Sequence, residues 1–466
     1  MVVGQTGEQV DVLVVGGGPA GYSAAIRAAQ LGRSVALVER SRIGGVCLNE
    51  GCIPSKAMLS ASRLYRLIGR ASVMGIDADP QLDFARLRAW KDGVVQRLSS
   101  GVSKLLERYK VEVKAGTAYF ASPHRVSVDL GDRNEFIDFQ GAIVATGSHA
   151  TAGGQEFDGR NVLTPEQALS LAHLPPTVAI VGSDYVAVEL ATAFARLGSS
   201  VTLVAEAKTP LPELEPALGQ AVARGLRELG VETRTGRTVR SYGKGKLTLS
   251  GGKSDAIAVE IVILAEGRAP STEGLGLQEA GVHLDDGGAI DVDESCRTSS
   301  HTIFAAGDAV AGPMLADRAI AQGRVAAECL CGLPSAYDPA ALPLAYFTEP
   351  EVMSAGLTEA AAREAGYETL SARFPFGASG RAATLAEQQG SVQVVAEKGT
   401  ERVIGVHAAG PYVSELAGEA TLALELGATL QDLALTIHPH PTLSEALPEA
   451  AWLALGAPLH VFRTAL

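Results

Sequence analysis

The sequence predicts an α/β protein with two related strand–turn–helix units and a separate C-terminal α+β domain. Residues 10–16, VDVLVVG, form a short apolar run that ends at a glycine, and a helical stretch and a second strand, SVALVE, follow. The same order recurs over residues 178–204, where VAIVG precedes YVAVELATAFARLG and SSVTLV. From about residue 346 the pattern changes to alternating strands, such as SVQVVAE, and then to helices. Strands that alternate with helices are typical of parallel sheets.

The first unit carries the glycine pattern of a dinucleotide-binding turn. Gly16, Gly18 and Gly21 stand between the first strand and the helix, and Glu39 ends the second strand. Glycines in this pattern let the backbone approach a pyrophosphate at the helix N-terminus, and an acid about 20 residues further on accepts hydrogen bonds from a ribose. A Rossmann-like nucleotide-binding domain is therefore predicted here.

The second unit matches the first without gaps but has a different turn. Gly182 matches the first glycine. Asp184 and Ala187 stand in place of the second and third glycines, and Ala205 stands in place of the acid. A carboxylate about 4 Å from a phosphate costs roughly 1 to 4 kcal/mol, or about tenfold to a thousandfold in affinity. Losing the ribose acid costs roughly 1 to 3 kcal/mol unless Glu206 replaces it. A second Rossmann-like domain is predicted, with an altered nucleotide site.

Composition and charge limit the functions that this chain can serve. The formal net charge of -13 over 466 residues argues against a general affinity for nucleic acid or anionic membranes. No apolar run approaches the roughly 20 residues of a membrane span, and the N-terminus, MVVGQTGEQV, lacks the features of a signal peptide. We therefore expect a cytoplasmic protein that binds neither nucleic acid nor membrane.

A close cysteine pair lies in the segment GGVCLNEGCIPSK. Cys47 and Cys52 immediately precede a predicted helix. In a reducing compartment such a pair is more often catalytic or metal-binding than structural, but no further ligands follow at zinc spacing, so we expect no metal site. A Cys52 thiolate near a helix N-terminus has a lowered pKa, and the pair can store two electrons. Three other cysteines are interpreted as buried or incidental thiols: Cys296, Cys329 and Cys331.

Residues 83–109 predict a long helix, because their apolar side chains recur mostly at helical spacing. We expect this apolar stripe to face the core; its members are Phe84, Leu87, Trp90, Val94, Leu98, Leu105 and Tyr109. Two further segments, VATGS at 144–148 and IFAAGD at 303–308, predict apolar strands that end in glycine turns. Both segments are similar to strand ends that lie beside a bound nucleotide.

Several motifs carry a family resemblance. GGVCLNEGCIPSK closely resembles the redox-active disulfide motif of the pyridine nucleotide–disulfide oxidoreductases. HPHPTLSE at 438–445 resembles the C-terminal motif of the dihydrolipoamide dehydrogenase branch of that family, as do GRAPSTEGLGL, IFAAGDAV, GPMLA and ELAGEATLALELGA. The resemblance covers nearly the whole chain. It implies an FAD-binding domain over residues 1–149 and 276–345, an NAD-binding domain over 150–275 and an interface domain over 346–466.

The resemblance implies that FAD and a disulfide between two cysteines carry electrons from protein-bound dihydrolipoamide to NAD+. In that family the first cysteine exchanges with the substrate and the second contacts the flavin. The implied catalytic residues are Cys47, Cys52, Lys56, Glu189, His440 and Glu445. The implied FAD contacts are Gly16, Gly18, Gly21, Glu39, Lys56, Ala118, Asp308 and Ala316. The implied NAD contacts are Gly182, Ser183, Ala205, Glu206 and Gly267.

The resemblance also implies partners. A homodimer is expected, since the catalytic histidine of the family reaches the disulfide of the other subunit. Binding to the lipoyl domain and acyltransferase core of a 2-oxoacid dehydrogenase complex is expected as well. His440 and Glu445 are not at a same-face helical spacing, but a turn followed by a helix can bring them together. For Lys56 and Glu189, an ordinary surface ion pair is the alternative interpretation.

The altered second turn leaves two alternatives open. One is a divergent FAD and disulfide oxidoreductase with an impaired NAD site and another electron partner. The other is a catalytically poor FAD-binding subunit of a 2-oxoacid dehydrogenase complex. The intact cysteine pair, together with His440 and Glu445, argues against the second alternative.

Overall fold

The computed structural model describes residues 7–251 and 255–462, and its first part is a parallel sheet with an antiparallel extension. Its elements are β1 (Glu8–Val15), α1 (Pro19–Gln30), β2 (Val35–Glu39), α2 (Gly45–Asn49), α3 (Cys52–Gly69), α4 (Phe84–Arg108), β3 (Glu112–Ala115), β4 (Thr117–Ser122), β5 (Arg125–Asp129), β6 (Asn134–Val144) and β7 (Ser148–Ala150). β1 lies between β2 and β6, with β3 beyond β2, and all these pairs are parallel. β6 is long enough to pair also with β5, which pairs with β4.

The second part of the chain repeats this arrangement. Its elements are β8 (Val162–Leu163), α5 (Pro165–Ala168), β9 (Thr177–Val181), α6 (Tyr185–Leu197), β10 (Ser200–Ala205), α7 (Pro216–Glu228), β11 (Glu232–Thr235), β12 (Thr238–Gly243), β13 (Lys246–Ser250), β14 (Ala256–Ala258), β15 (Ile261–Leu264) and β16 (Arg268–Pro270). The parallel sheet has the order β11-β10-β9-β15-β8. β9 and β15 are apolar and almost wholly buried, as expected for strands that helices cover on both faces.

The chain then returns to the first sheet. β16 pairs with β7 in a short antiparallel ribbon between the two units. β17 (Ile303–Ala305) pairs with β6, which gives the first parallel sheet the order β3-β2-β1-β6-β17. α8 (Ala316–Leu330) then packs against α1, and Gly323 allows this close approach because a Cβ atom there would lie 2.2 Å from the Ala20 carbonyl oxygen. The first unit is therefore assembled from two segments of the chain.

The C-terminal part is an α+β domain. Its elements are β18 (Leu344–Tyr346), β19 (Glu351–Gly356), α9 (Glu359–Glu364), β20 (Thr369–Pro375), α10 (Gly380–Thr384), β21 (Ser391–Glu397), β22 (Val403–Gly410), α11 (Ala417–Glu425), α12 (Leu430–Leu435) and α13 (Ala446–Ala454). The strands form an antiparallel sheet in the order β18-β19-β22-β21-β20. None of the helices in the described ranges combines the length and apolar character needed to cross a bilayer. Residues 1–6, which contribute to the expectation of no signal peptide, lie outside the described residues.

The helix predicted over residues 83–109 is present as α4, but the expectation that its apolar stripe faces the core is wrong for much of the stripe. Four of the predicted core residues are exposed: Trp90, Leu98, Leu105 and Tyr109. The buried or half-buried line along α4 is instead Lys91, Val95, Ser99, Val102 and Leu106. This line has the same helical spacing but a different rotation about the axis. Spacing alone predicts a helix, whereas the neighbours α1, α2 and α3 decide which face they cover.

Candidate active site

A cavity of about 520 Å³ lies between the first unit and α6 of the second unit. It opens at the carboxyl ends of the strands of the first sheet, where ligands bind in open α/β folds. The predicted site residues that line it are Gly16, Gly18, Glu39, Cys47, Cys52, Lys56, Glu189, Asp308 and Ala316. The fold thus gathers residues from distant parts of the sequence around one space of ligand size.

The first glycine turn has the geometry that a bound pyrophosphate needs. Gly16 has φ +104°, and a Cβ atom there would lie 2.2 Å from the Ala145 carbonyl oxygen. A Cβ atom on Gly21 would lie 1.8 Å from the Gly16 oxygen, so α1 packs directly on the turn. Gly18 precedes α1 without a side-chain cap, and a Cβ atom there would meet nothing nearer than 3.9 Å. The N-terminal amides of α1 and the space beside them therefore fit a phosphate group.

The other predicted FAD contacts lie on both sides of this turn. Glu39 accepts hydrogen bonds from the Gly17 amide at 2.6 Å and the Ser41 amide at 2.7 Å, and its remaining lone pairs fit a ribose hydroxyl. Asp308 accepts a hydrogen bond from the Ser148 hydroxyl at 2.6 Å. Ala316 begins α8, so a second helix N-terminus faces the cavity. These features fit FAD.

Ala118 and Gly21 do not line the cavity. Ala118 lies on β4 with its side chain buried in the core of the first unit, so its role as an FAD contact stays a prediction. Gly21 acts through packing, because its missing side chain lets α1 approach the turn.

The cysteine pair lies in the cavity with both thiols free and in mutual hydrogen-bond contact. Cys47 is in α2, and the buried Asn49 amide holds this segment by donating to the carbonyl oxygens of Ile43 and Gly45 at 3.0 and 2.9 Å. Cys52 is the first residue of α3. The hydrogen bond from the Cys47 thiol lowers the pKa of Cys52, and the Lys56 ammonium lowers it further against the opposing effect of burial. Cys52 is therefore the thiol that ionises first.

The remaining cysteines have different surroundings. Burial raises the pKa of Cys296 to about 12, which keeps this thiol protonated. The Cys329 thiol donates a hydrogen bond to the Ser335 carbonyl oxygen at 2.9 Å. Within residues 7–251 and 255–462, no cluster of His, Cys, Asp and Glu is arranged to hold a metal ion.

Lys56 and Glu189 form an ion pair inside the cavity. Lys56 lies one helical turn after Cys52, and its Nζ atom is 2.7 Å from Oε2 of Glu189 on α6. Glu189 is buried, and its other oxygen accepts a hydrogen bond from the Phe347 amide at 2.9 Å. The alternative of an ordinary surface ion pair does not fit this burial. The pair instead joins α3 of the first unit to α6 of the second beside the thiols.

His440 and Glu445 lie together in the segment between α12 and α13 of the C-terminal domain. Nδ1 of His440 is 2.8 Å from Oε1 of Glu445, whose other oxygen accepts a hydrogen bond from the Thr442 amide at 2.7 Å. Burial tends to raise the pKa of Glu445, but the Thr442 amide and the His440 ring lower it overall. The His440 side chain is 78% exposed and does not line the cavity of its own chain. His438, in contrast, is only 6% exposed and is bound by Glu419 at 2.7 Å, which suits a structural histidine.

The residues predicted to contact NAD lie at the carboxyl ends of β9, β10 and β15 and do not line the cavity. Gly182 has φ +145°, and a Cβ atom there would lie 2.0 Å from the Ala265 carbonyl oxygen, so this glycine is required as in the first unit. Ser183 follows it, and its backbone carbonyl oxygen accepts a hydrogen bond from the Leu211 amide at 2.8 Å. Ala205 is buried, whereas Glu206, one residue beyond β10, is exposed. Gly267 has φ +111° and follows β15.

Sequence reasoning missed a network and an aromatic residue that line the cavity. Arg268 donates from Nε to the Ser148 hydroxyl at 2.8 Å and forms an ion pair with Glu166, so it connects the second unit to the Asp308 carboxylate. Tyr185 stacks in parallel on Tyr346 with 5.1 Å between ring centroids. The segment GRAPSTEGLGL contains Arg268, but no local signal indicates that its side chain crosses to Ser148.

The fold and site define a nucleotide-dependent dithiol oxidoreductase, and family comparisons agree. The pyridine nucleotide-disulphide oxidoreductase family matches residues 10–323, and the dimerisation domain of the same family matches residues 342–451. The chain belongs to the pyridine nucleotide-disulphide oxidoreductase family. The predicted family and the predicted fold class are thereby confirmed.

Individual relatives cover almost the full chain. The dihydrolipoyl dehydrogenase of Geobacillus stearothermophilus is 41% identical over 467 residues, covering 99% of each chain. The dihydrolipoyl dehydrogenase of Halobacterium salinarum is 43% identical over 470 residues, again covering 99% of each chain. Among solved structures, LpdA from Mycobacterium tuberculosis superimposes with a TM-score of 0.88 at 28% identity, covering 95% of this chain and 99% of that one. The HOCl-induced flavoprotein disulfide reductase RclA from Escherichia coli has a TM-score of 0.86 at 26% identity, with coverage of 95% and 99%.

Proposed function

We propose that this chain is an FAD-dependent enzyme that oxidises protein-bound dihydrolipoamide to lipoamide, with NAD+ as the electron acceptor. The observation that carries this proposal is the cysteine pair in the cavity, where Cys52 begins α3 and has a lowered pKa. Relatives named dihydrolipoyl dehydrogenase match over almost the full length of the chain and support the same substrate. FAD, when bound, carries the electron pair from the dithiol to NAD+.

Each catalytic side chain has a distinct proposed role. The Glu445 carboxylate accepts a hydrogen bond from Nδ1–H of His440, so Nε2 is free to take a proton from a substrate thiol. The resulting substrate thiolate attacks Cys47 in the oxidised pair, which breaks the disulfide and releases Cys52 as a thiolate. A lowered pKa makes Cys52 a good leaving group. The second substrate thiol then attacks the substrate sulfur of the mixed disulfide, which forms lipoamide and breaks the bond to Cys47. The departing Cys47 sulfur takes up the proton of that thiol, while His440 holds the first proton and Cys52 remains a thiolate, so the pair is reduced.

The base is proposed to come from a second copy of the chain. Residues 342–451 match the dimerisation domain of the family. His440 is largely exposed and lies away from the cavity of its own chain. Exposed apolar side chains lie on or just after α11 and α12 of the same domain: Leu422, Leu426, Leu435 and Ile437, the last of them 95% exposed. Such a surface fits a homodimer in which His440 of each chain serves Cys47 of the other. Lipoyl domains and the acyltransferase core of a 2-oxoacid dehydrogenase complex are the proposed partners.

The proposed chemistry is tested by replacing Cys47 with serine. Cys47→Ser is expected to lower dihydrolipoamide-dependent NAD+ reduction by about a thousandfold or more, since a nucleophilic pair acts as a unit. FAD content should stay at the wild-type level. Cys331→Ser, at a half-buried thiol outside the cavity, is the matched control and should keep full activity. Wild-type turnover in Cys47→Ser would contradict the assignment.

The intersubunit arrangement is tested by complementation. A heterodimer of Cys47→Ser and His440→Gln chains, isolated with two different affinity tags, contains one site with both defects and one intact site. Activity should therefore reappear in the heterodimer although both homodimers are inactive. If each His440 served the cysteine pair of its own chain, both sites would be defective and the heterodimer would stay inactive.

A further inference from the structure

The two glycine turns differ at the residue that precedes each helix. Asp184 is the residue before α6, and its Oδ1 atom accepts a hydrogen bond from the Ala187 amide at 3.0 Å. Its counterpart before α1 is Gly18, which has no side chain and therefore cannot cap the helix in this way. The backbone is nearly the same at both positions, with φ −77° and ψ 178° at Asp184 and φ −73° and ψ −173° at Gly18. At this position the two turns therefore differ by a carboxyl group on a shared backbone conformation.

That carboxyl group occupies the place of a ligand. The free amides at a helix N-terminus bind anions, which is how dinucleotide folds hold a pyrophosphate. In the second unit an internal anion already satisfies the Ala187 amide. A pyrophosphate bound at the N-terminus of α6 would therefore lie beside this carboxyl group, and repulsion from its ionised form would lower the affinity.

The groups around Asp184 make its charge costly. Burial raises the pKa of Asp184, and the carboxylates of Glu213 and Glu189 raise it further, against the lowering effect of the Ala187 and Val186 amides. Glu213 lies in the segment between β10 and α7, and the Tyr346 hydroxyl from β18 contacts it at 3.4 Å. Tyr185, the first residue of α6, and Tyr346 are further titratable neighbours of Asp184. The two carboxylates therefore act in the same direction as burial, and a proton on Asp184 relieves the repulsion.

We infer that Asp184 competes with the NAD pyrophosphate for the N-terminus of α6, and that NAD binds with uptake of a proton from solvent by this carboxyl group. The inference rests on the proposed use of NAD. The protonated carboxyl group can donate a hydrogen bond to a phosphate oxygen instead of repelling it. NAD affinity is then set by pH as well as by nucleotide concentration.

The direction of the pH effect follows from linkage. A bound pyrophosphate favours the neutral carboxyl group, so the pKa of Asp184 is higher in the complex than in the free protein. NAD affinity is greatest below the free-protein pKa and falls as pH rises from there to the pKa of the complex. Above that second pKa, affinity levels off at its weakest value. Proton uptake is confined to the interval between the two values.

Calorimetric titration of the oxidised FAD holoenzyme with NAD+ tests this inference without turnover. Titrations at several pH values from about 5 to 8, in buffers of different ionisation enthalpy, count the protons taken up. Asp184→Asn keeps a side chain that caps helices well but removes the charge. This variant should bind NAD+ at least about tenfold more tightly at the upper end of the range, without proton uptake. Asp184→Ser, a second capping residue, should behave in the same way.

Asp83 provides a matched control. It precedes α4 and caps it by accepting a hydrogen bond from the Arg86 amide at 3.0 Å, away from the nucleotide site. Asp83→Asn should bind NAD+ as the wild type does. The inference is overturned if the wild type takes up no proton at any pH, or if neither Asp184 variant binds more tightly. The proposed function is tested separately, because reduction of the flavin by dihydrolipoamide does not depend on NAD+ binding.

Discussion

The first and second nucleotide-binding units arrange matching strands around β1 and β9, yet they differ at the turns that follow these strands. The strand orders β3-β2-β1-β6-β17 and β11-β10-β9-β15-β8 correspond one to one. In both, the first glycine lies where a Cβ atom would strike a carbonyl oxygen of the neighbouring strand end. Buried apolar strands and this one steric constraint are enough to keep the fold, while the rest of the turn is free to change.

The difference between the turns concerns what satisfies the helix N-terminus. Gly18 leaves the amides of α1 and the space beside them open to the cavity. Asp184 uses its own carboxyl group to satisfy an amide of α6. The same backbone thus serves ligand binding in one unit and an internal cap in the other. The comparison teaches that two units with the same strand order can differ in whether the helix N-terminus is left free or capped by a side chain.

Within this comparison, the largest effect is expected at the third glycine position of each turn. In the first unit a Cβ atom on Gly21 would lie 1.8 Å from the Gly16 carbonyl oxygen, whereas the second unit has a fully buried Ala187 there. Gly21→Ala should push α1 away from the turn and remove the pyrophosphate site. We expect the ratio of flavin to protein, measured by absorbance after purification, to fall by roughly tenfold or more.

The reverse change is the matched control for this experiment. Ala187→Gly removes one buried methyl group near the start of α6 and should cost about 1 to 2 kcal/mol of stability, measured by chemical denaturation. FAD content should not change. Full flavin retention in Gly21→Ala would mean that the close approach of α1 is not needed for FAD binding.

A smaller effect is expected where the two units meet, at the ion pair beside the thiols. Glu189 raises the pKa of Cys52 and Lys56 lowers it. Glu189→Gln should therefore move formation of the Cys52 thiolate to lower pH, and Lys56→Met should move it to higher pH. The rate of iodoacetamide alkylation at Cys52, followed by peptide mass spectrometry across pH in a Cys47→Ser background, measures both shifts.

The essential result is that the two variants shift the pKa of Cys52 in opposite directions. The FAD content of each variant serves as the control for structural damage, because removing one partner of a largely buried pair also destabilises the fold. If both variants shifted the pKa of Cys52 in the same direction, α3 and α6 would have separated. The ion pair would then hold the two helices in place rather than tune the charge beside Cys52.

The sequence by itself determined those features that depend on a few neighbouring residues. Apolar runs and helical spacing located β1, α1 and β2 and their counterparts β9, α6 and β10. The cysteine pair was predicted to precede a helix, and Cys52 is the first residue of α3. His440 and Glu445 were expected to meet across a turn, and they are 2.8 Å apart. The strands and helices follow from local periodicity. The pairing of His440 with Glu445 follows from the family resemblance, because their spacing is not that of one helix face.

Only the tertiary structure decided which side chains meet across elements and which face each element buries. The family resemblance implies that Lys56 pairs with Glu189, and the structure adds that the pair is largely buried. Arg268 reaches Ser148 by a contact that no local pattern contains. The exposed stripe of α4 has the same spacing as its buried line, so the neighbouring helices rather than periodicity choose the rotation. Asp184 stands at a glycine position in the sequence, but its direction depends on the amides of α6. The physical reason is the same in each case: packing and hydrogen bonding between distant segments decide these contacts, and a linear pattern does not encode the distance between them.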